Sequence, residues 1–276
     1  MQGSQEIRGG AKLQFCSQKG AKTGYLYSCS RSDGVTECAV STKLLPVAYT
    51  FLKSFLTPIL MVLFRPKVSG LRNVPNVGPV IIASNHLSFS DSIFMPLVVP
   101  RKVTFMAKSE YFTSPGLKGF IKKLTFQALG QVPVDRSGGR RSEAAIRTGL
   151  NLLEVGQCIG IYPEGTRSPD GKLYKGRTGI ARMAIDSGAP IVPVAMFNTA
   201  EIQPTGQVVP KVRRVEMVFG EPMYFNGDSS DLSFLRQVTD EIMQGIQKIS
   251  GQVYVDMYAS DAKSAIAAEL KKQEEN

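Results

Sequence analysis

The sequence contains a single histidine, His86, in 276 residues. That excludes metal chemistry built on several imidazoles. The four cysteines, Cys16, Cys29, Cys38 and Cys158, contain no C-x-x-C pair from which a zinc site could be built instead. Three of them precede residue 40 and the fourth lies in an apolar run, so the body of the chain has no partner pair for an internal disulfide, as suits a reducing, cytoplasm-facing location. The first 40 residues also lack the ~7–15-residue apolar stretch of a secretory signal. They are rich in Gly, Ser, Gln and Lys without apolar periodicity, and are expected to be a disordered extension. An organellar transit peptide is the alternative, opposed by three acidic residues. Any histidine chemistry in this protein falls to one residue.

Charge, by contrast, is plentiful and unevenly spread. Thirty-three basic against 23 acidic side chains give a net charge of +10. Residues 41–141 hold 14 basic and 3 acidic side chains, whereas residues 142–276 hold 14 and 17. A basic segment suits anionic lipid, nucleic acid or a phosphorylated ligand, or is simply a well-solvated surface. The segment that opens the basic region narrows the choice. Leu44–Phe64 is 21 residues with one charge, Lys53, and as a helix spans ~30 Å. Thr50, Lys53, Ser54 and Thr57 recur at helical spacing as one polar stripe, and a charge near a bilayer centre costs ~2.5–3.5 kcal/mol. The pattern therefore predicts an amphipathic helix, or a helical pair broken at Pro58, lying in a membrane interface with Arg65 and Lys67 on headgroups. A buried core helix and a bilayer-crossing helix are the alternatives.

From Val68 onward, short β-branched runs alternate with helical patterns. Strands are expected at Val80–Ser84, Val103–Ala107, Gln131–Val134, Cys158–Tyr162, Ile191–Met196 and Arg214–Phe219, and helices at Asp91–Val98, Ser142–Glu154, Thr178–Ser187 and Leu232–Ile249. This predicts an α/β fold, a single twisted mostly parallel or mixed sheet flanked by helices, preceded by the N-terminal amphipathic membrane-associating segment. The corresponding domain plan is 1–40 extension, 41–67 membrane-associating segment, 68–260 main domain, and 261–276 a charged helical tail that frays.

Asn85-His86-Leu87-Ser88-Phe89-Ser90-Asp91 directly follows the first of these central strands. Residues five apart on one continuous helix point ~140° from each other, so His86 and Asp91 meet only if His86 lies in the turn and Asp91 opens the next helix. Asp91 can then accept from one imidazole nitrogen and leave the other as a base toward a hydroxyl. This is two-thirds of a triad, and it suffices if the substrate brings its own hydroxyl. A second polar cluster, Pro163-Glu164-Gly165-Thr166-Arg167-Ser168, follows the strand at Cys158. Gly frees the backbone for close approach, Thr and Ser supply donors, and Arg can bind phosphate bidentately. An ordinary turn with a Glu164–Arg167 ion pair is the plainer reading.

Taken together, these blocks resemble the glycerophospholipid acyltransferase family, most closely the 1-acyl-sn-glycerol-3-phosphate (lysophosphatidic acid) acyltransferases. The matching blocks, in order, are Asn85-His86 through Asp91, the strand ending in Asp135-Arg136, Tyr162-Pro163-Glu164-Gly165-Thr166-Arg167-Ser168 with Tyr where the family usually has Phe, and Ile191-Val192-Pro193-Val194. Lys108 and Tyr174-Lys175-Gly176 add weaker matches, and the resemblance covers about residues 65–225. It implies acyl transfer from acyl-CoA or acyl-carrier protein to the sn-2 hydroxyl of lysophosphatidic acid at the cytoplasmic face of a membrane. His86 would be the general base oriented by Asp91. Lys108, Arg136, Glu164, Gly165, Thr166 and Arg167 would bind the acceptor, and no metal or organic cofactor is required. Glycerol-3-phosphate or another lysophospholipid is the alternative acceptor. A non-catalytic membrane- or nucleic-acid-binding protein is the alternative class, and no nucleic-acid signature accompanies the basic charge.

Overall fold

The computed structural model describes residues 27–32, 35–40, 45–108, 116, 119, 130–134, 141–204 and 210–274; within these, the side chains of 27–32, 35–40, 45–53, 56, 108, 133, 134, 141 and 142 are not described. The chain divides into two compact units, Met1–Phe51 and Leu52–Asn276. In the first, β1 (Tyr27–Ser32) and β2 (Val35–Val40) pair antiparallel with Cys29 opposite Cys38. The expected disordered extension therefore includes a ladder. Asp33-Gly34, between the two runs in sequence, is a hairpin signal that composition alone conceals. The other residues of 1–40 lie outside the described residues.

The helix α1 (Leu45–Phe64) runs through Pro58 without a break. Pro58 is exposed, so the carbonyl deprived of its N–H partner can be reached by solvent. Leu60 and Phe64 turn toward the core, whereas Phe55, Ile59 and Val62 are exposed. No helix among the described residues is long and apolar enough to cross a membrane.

Seven strands form the central sheet: β3 (Lys67–Ser69), β4 (Val80–Ser84), β5 (Val103–Lys108), β6 (Gln131–Val134), β7 (Cys158–Ile161), β9 (Ile191–Phe197) and β10 (Glu216–Phe219), in the spatial order β3-β10-β9-β4-β7-β5-β6. Neighbours are parallel except at the β9–β10 step, so the sheet is mixed but mostly parallel, as expected. Successive strand residues point to opposite faces. Val80 and Ile82 therefore enter a cluster with Phe105, Val192, Val194, Phe64 and Phe94, while Ile81 and Ala83 enter another with Ile159, Ile191, Ile180 and Ile242. Both faces are covered, which is why β4 is apolar at consecutive positions rather than alternate ones.

The helices divide accordingly. α2 (Asp91–Val98) packs with α1 on the first face; α3 (Arg141–Glu154), α4 (Gly179–Ser187) and the long helix that follows β10 pack on the second. A single turn, α5 (Thr199–Ile202), precedes that long helix, α6 (Leu232–Ser250), whose Asp231 cap accepts from the backbone N–H groups of Ser233 and Phe234. β4 and β7 are parallel neighbours, but α2 leaves β4 on one face and α4 follows β7 on the other. Their loops meet at the C-terminal strand ends, where a cavity lined by both opens.

The charged helix expected over 261–276 is α7 (Ala259–Glu274), which begins two residues earlier, with Ala259 and Ala262 buried against Tyr174. It is led there by β11 (Tyr254–Val255), which pairs in parallel with β8 (Leu173–Tyr174).

Candidate active site

His86 emerges from the C-terminal end of β4, and Asp91 is the first residue of α2. His86 Nδ1 lies 2.9 Å from Asp91 Oδ2, so the turn brings together the two residues that a continuous helix would separate. The same oxygen accepts the backbone N–H groups of Leu87 and Ser88, both at 2.8 Å. The carboxylate thus folds the preceding turn back on itself rather than capping the helix N-terminus by its own side chain. Asp91 is fully buried, and its Oδ1 has no donor among the described residues. His86 keeps 17% of its side chain exposed. Donation from Nδ1–H to Asp91 leaves Nε2 as the acceptor nitrogen.

The loop after β7 holds His86 from the other side. Glu164 Oε2 accepts the His86 backbone N–H at 3.1 Å, and the Ser168 N–H donates to the His86 carbonyl at 2.7 Å. The Tyr162 ring stacks on the imidazole, with centroids 3.8 Å apart and planes 9° apart, and Phe105 stacks behind Tyr162. The Tyr162 hydroxyl lies 2.9 Å from Ser92 Oγ on α2, so the Tyr that replaces the usual Phe links the two loops. Burial, then the Asp91 charge, push this phenol well above its ordinary value, and it stays neutral. Gly160 makes room for the stack, since a Cβ there would come within 2.4 Å of the Phe105 ring.

Asn85, beside the histidine, fastens the loop to the sheet. Its Oδ1 accepts the Met196 N–H at 2.8 Å, and its Nδ2 donates to the Met196 carbonyl and to Gln252 Oε1. In the sequence it stands only as one residue of the Asn85–Asp91 block.

The acceptor-binding residues expected from the sequence separate into three groups. Thr166 and Arg167 are half-buried and, with exposed Gly165 at φ 76°, line a cavity of about 360 Å3 that also includes His86, Phe89 and Phe105. The positive φ explains the glycine. Arg167 forms no ion pair with Glu164 among the described residues. Glu164 departs from the expectation: it is 2% exposed, and its two oxygens turn inward to the N–H groups of His86 and, at 2.9 Å, Tyr174. Its carboxylate is occupied by backbone donors and braces the loop. The Lys108 backbone ends β5, but its side chain lies outside the described residues, as does all of Arg136. Lys175 pairs with Asp256 at 2.7 Å, and Cys158 is buried with its thiol pushed up to about 12 by burial, which removes it as a nucleophile. The signal missed in the sequence is Lys263 on α7, whose Nζ donates to Thr166 Oγ1 at 2.7 Å.

Burial pushes Glu164 from its ordinary 4.5 up to about 7, against the pull of its two backbone N–H bonds. The folded protein thus holds this proton more tightly than the unfolded chain. The stability from this group is fully present below pH 4.5 and is lost as pH rises through 7. Relative to Glu164→Gln, the wild type is expected to lose about 2–3 kcal/mol across that window, read from urea unfolding at a series of pH values. Parallel pH profiles for the two proteins would remove the buried carboxyl from the account.

Comparison with known proteins points the same way. The acyltransferase family model matches residues 65–197, which contain both loops. The crystal structure of the 1-acyl-sn-glycerophosphate (LPA) acyltransferase PlsC from Thermotoga maritima superposes with a TM-score of 0.53, covering 75% of this chain and 95% of that one at 22% identity, so the two share a fold. A 1-acyl-sn-glycerol-3-phosphate acyltransferase of Bacillus subtilis is 30% identical over 210 residues, 74% of this chain and 98% of its own length. A chloroplastic enzyme of the same name, BAT2 from Brassica napus, is 30% identical over 171 residues, 61% of this chain; the match spans 47% of the plant protein. The fold is thus that of an acyltransferase with a histidine and a carboxylate at the strand ends. The chain belongs to the glycerophospholipid acyltransferase family.

Proposed function

We propose that this protein transfers an acyl chain from a thioester donor, acyl-CoA or acyl-carrier protein, to the sn-2 hydroxyl of 1-acyl-glycerol-3-phosphate, giving phosphatidic acid. The observation that carries the reading is the His86–Asp91 pair, 2.9 Å apart, with His86 lining a cavity that Thr166 and Arg167 also line. Nε2 takes the hydroxyl proton as the acceptor oxygen attacks the thioester carbonyl. The C–O ester bond forms, the C–S bond breaks, and the proton passes from the imidazolium to the departing thiolate. Asp91 holds the ring in one tautomer and offsets the positive charge that develops on it. Arg167, Thr166 and the Gly165 backbone bind the acceptor phosphate, and by family resemblance Lys108 and Arg136 do so as well. Glu164 fixes the His86 backbone instead of touching substrate.

The first test is phosphatidate formation by the purified protein from lysophosphatidate and acyl-CoA or acyl-carrier protein, with glycerol-3-phosphate as the competing acceptor. Preferential acylation of glycerol-3-phosphate would replace the acceptor in this reading. Arg167→Ala is expected to raise the lysophosphatidate KM about tenfold or more with kcat largely kept, as for loss of a charge-assisted bond to phosphate. A fall in kcat alone would move Arg167 from binding to chemistry.

An acyl-chained acceptor also requires a lipid surface. Phe55, Ile59 and Val62, at 66, 44 and 71% exposure and i, i+4, i+7 spacing, form an apolar stripe on α1 that suits insertion into the cytoplasmic face of a membrane. Replacing the three by serine is expected to abolish co-flotation with anionic phospholipid vesicles. Undiminished flotation would assign membrane contact elsewhere.

A further inference from the structure

The C-terminal helix reaches the acceptor loop, and it does so along a fixed path. β11 adds to β8, the Leu173 N–H donates to the Val253 carbonyl at 3.0 Å, and the Lys175 N–H donates to the Met257 carbonyl at 3.0 Å. The Arg177 guanidinium lies 3.9 Å over the Tyr258 ring and donates to Ser260 Oγ at 3.1 Å. Residues 173–177 follow the loop that carries Thr166 and Arg167, so the entry to α7 is fastened to the same segment as the site.

On α7, Ala259, Ala262 and Lys263 share one face at i, i+3, i+4 spacing. The two alanines are buried against Tyr174, and the lysine is the half-buried member of that inward row. Its Nζ donates to Thr166 Oγ1 at 2.7 Å. Accepting that bond leaves the threonine its own O–H to donate elsewhere. No carboxylate pairs with Lys263 within 4.0 Å among the described residues. Burial, and after it the nearby Arg167 charge, hold the ammonium below its ordinary value, while Glu164 acts in the opposite direction. Glu164 itself has both oxygens on backbone N–H groups. The corner therefore gathers two cations and a hydroxyl beside the cavity, with no carboxylate in ion-pair contact with either cation. An anion bearing several acceptor oxygens satisfies such a corner.

We propose that Lys263, carried by the C-terminal helix, binds the phosphate of the acceptor together with Arg167 and Thr166, so that the helix completes the acceptor site. The inference rests on the lysophosphatidate reading above and adds to it a residue far outside the sequence blocks. Lys263 does not touch the reacting atoms; it holds the phosphate end while His86 addresses the hydroxyl. Loss of the ammonium should therefore weaken acceptor binding and leave the chemical step alone.

The test compares the full-length wild type with Lys263→Met, which keeps the packing stem, and Lys263→Arg, which keeps the charge. Lys263→Met should raise the KM for lysophosphatidate about ten- to hundredfold, leave kcat within about twofold, and leave the acyl-CoA KM unchanged; Lys263→Arg should recover most of the loss. An unchanged lysophosphatidate KM in Lys263→Met, with only a lower Tm, would overturn the inference and leave the bond to Thr166 as a structural tether. Titration with inorganic phosphate, followed by 31P NMR, gives a readout independent of turnover. Weaker phosphate binding in Lys263→Met than in the wild type and Lys263→Arg supports the site, and equal binding in all three overturns it. A wild type that does not acylate lysophosphatidate would instead defeat the functional reading, and the phosphate titration would still decide the role of Lys263.

Discussion

Replacing His86 by alanine is expected to lower acyl transfer to lysophosphatidate by about 10²- to 10⁴-fold, the range for loss of a positioned general base. No second histidine exists to take over the proton. The fold should survive, because Asp91 Oδ2 still accepts two backbone N–H groups and the loop remains held at the His86 backbone by Glu164 and Ser168. The lysophosphatidate KM should change little, since the residues proposed to bind the phosphate lie outside the His86 loop. The measurement is a steady-state assay alongside a thermal melt. A variant that is folded and still turns over near the wild-type rate would take the base role away from His86.

The second large effect is expected at Asp91. Asparagine is close to isosteric, and with its carbonyl oxygen in the place of Oδ2 it can accept all three bonds. Its NH2 group then falls where Oδ1 has no partner among the described residues. Asp91→Asn should therefore fold, at a cost of about 1–3 kcal/mol for the buried unsatisfied amide. What it loses is the charge that offsets the imidazolium, and the rate is expected to fall by about 10²- to 10⁴-fold with the acceptor KM unchanged. Asp91→Ala strips the acceptor from the half-buried Leu87 and buried Ser88 backbone N–H groups as well, so it should be the less stable variant. If Asp91→Asn retained activity while Asp91→Ala lost its fold, the carboxylate would have a structural role alone.

Much of the site was legible because its parts are local. The apolar run Val80–Ser84, the turn residues after it and the amphipathic run from Asp91 all fall within nineteen residues, and the strand and helix appear with the expected bounds. Turn geometry allowed His86 and Asp91 to pair, and the fold brings them to 2.9 Å. Other features depend on contacts between distant segments and leave little trace in sequence. Glu164 is as polar in sequence as Arg167, and only the fold shows that its oxygens meet backbone N–H groups 78 residues before it and 10 residues after it. β8 and β11 are two residues each, too short for a periodic signal, yet their pairing directs α7 to the site. Lys263 sits in a charged, alanine-rich stretch whose buried face is too small to stand out, because alanines and a lysine stem cover it instead of large apolar side chains. Pro58 read as a helix break and is tolerated because it faces outward.

The central claim is that the acceptor's own hydroxyl, activated by His86, attacks the thioester directly. Cys158 is buried with a raised thiol pKa, and no hydroxyl is hydrogen-bonded to the His86 ring, so the described residues offer no activated nucleophile. The measurement that tests this most directly is rapid-quench release of free CoA from acyl-CoA, with and without lysophosphatidate, in the wild type and His86→Ala. CoA release is expected to require lysophosphatidate, to match phosphatidate formed mole for mole, and to be lost in His86→Ala. A stoichiometric burst of CoA without acceptor, or undiminished acceptor-dependent release in His86→Ala, would contradict it.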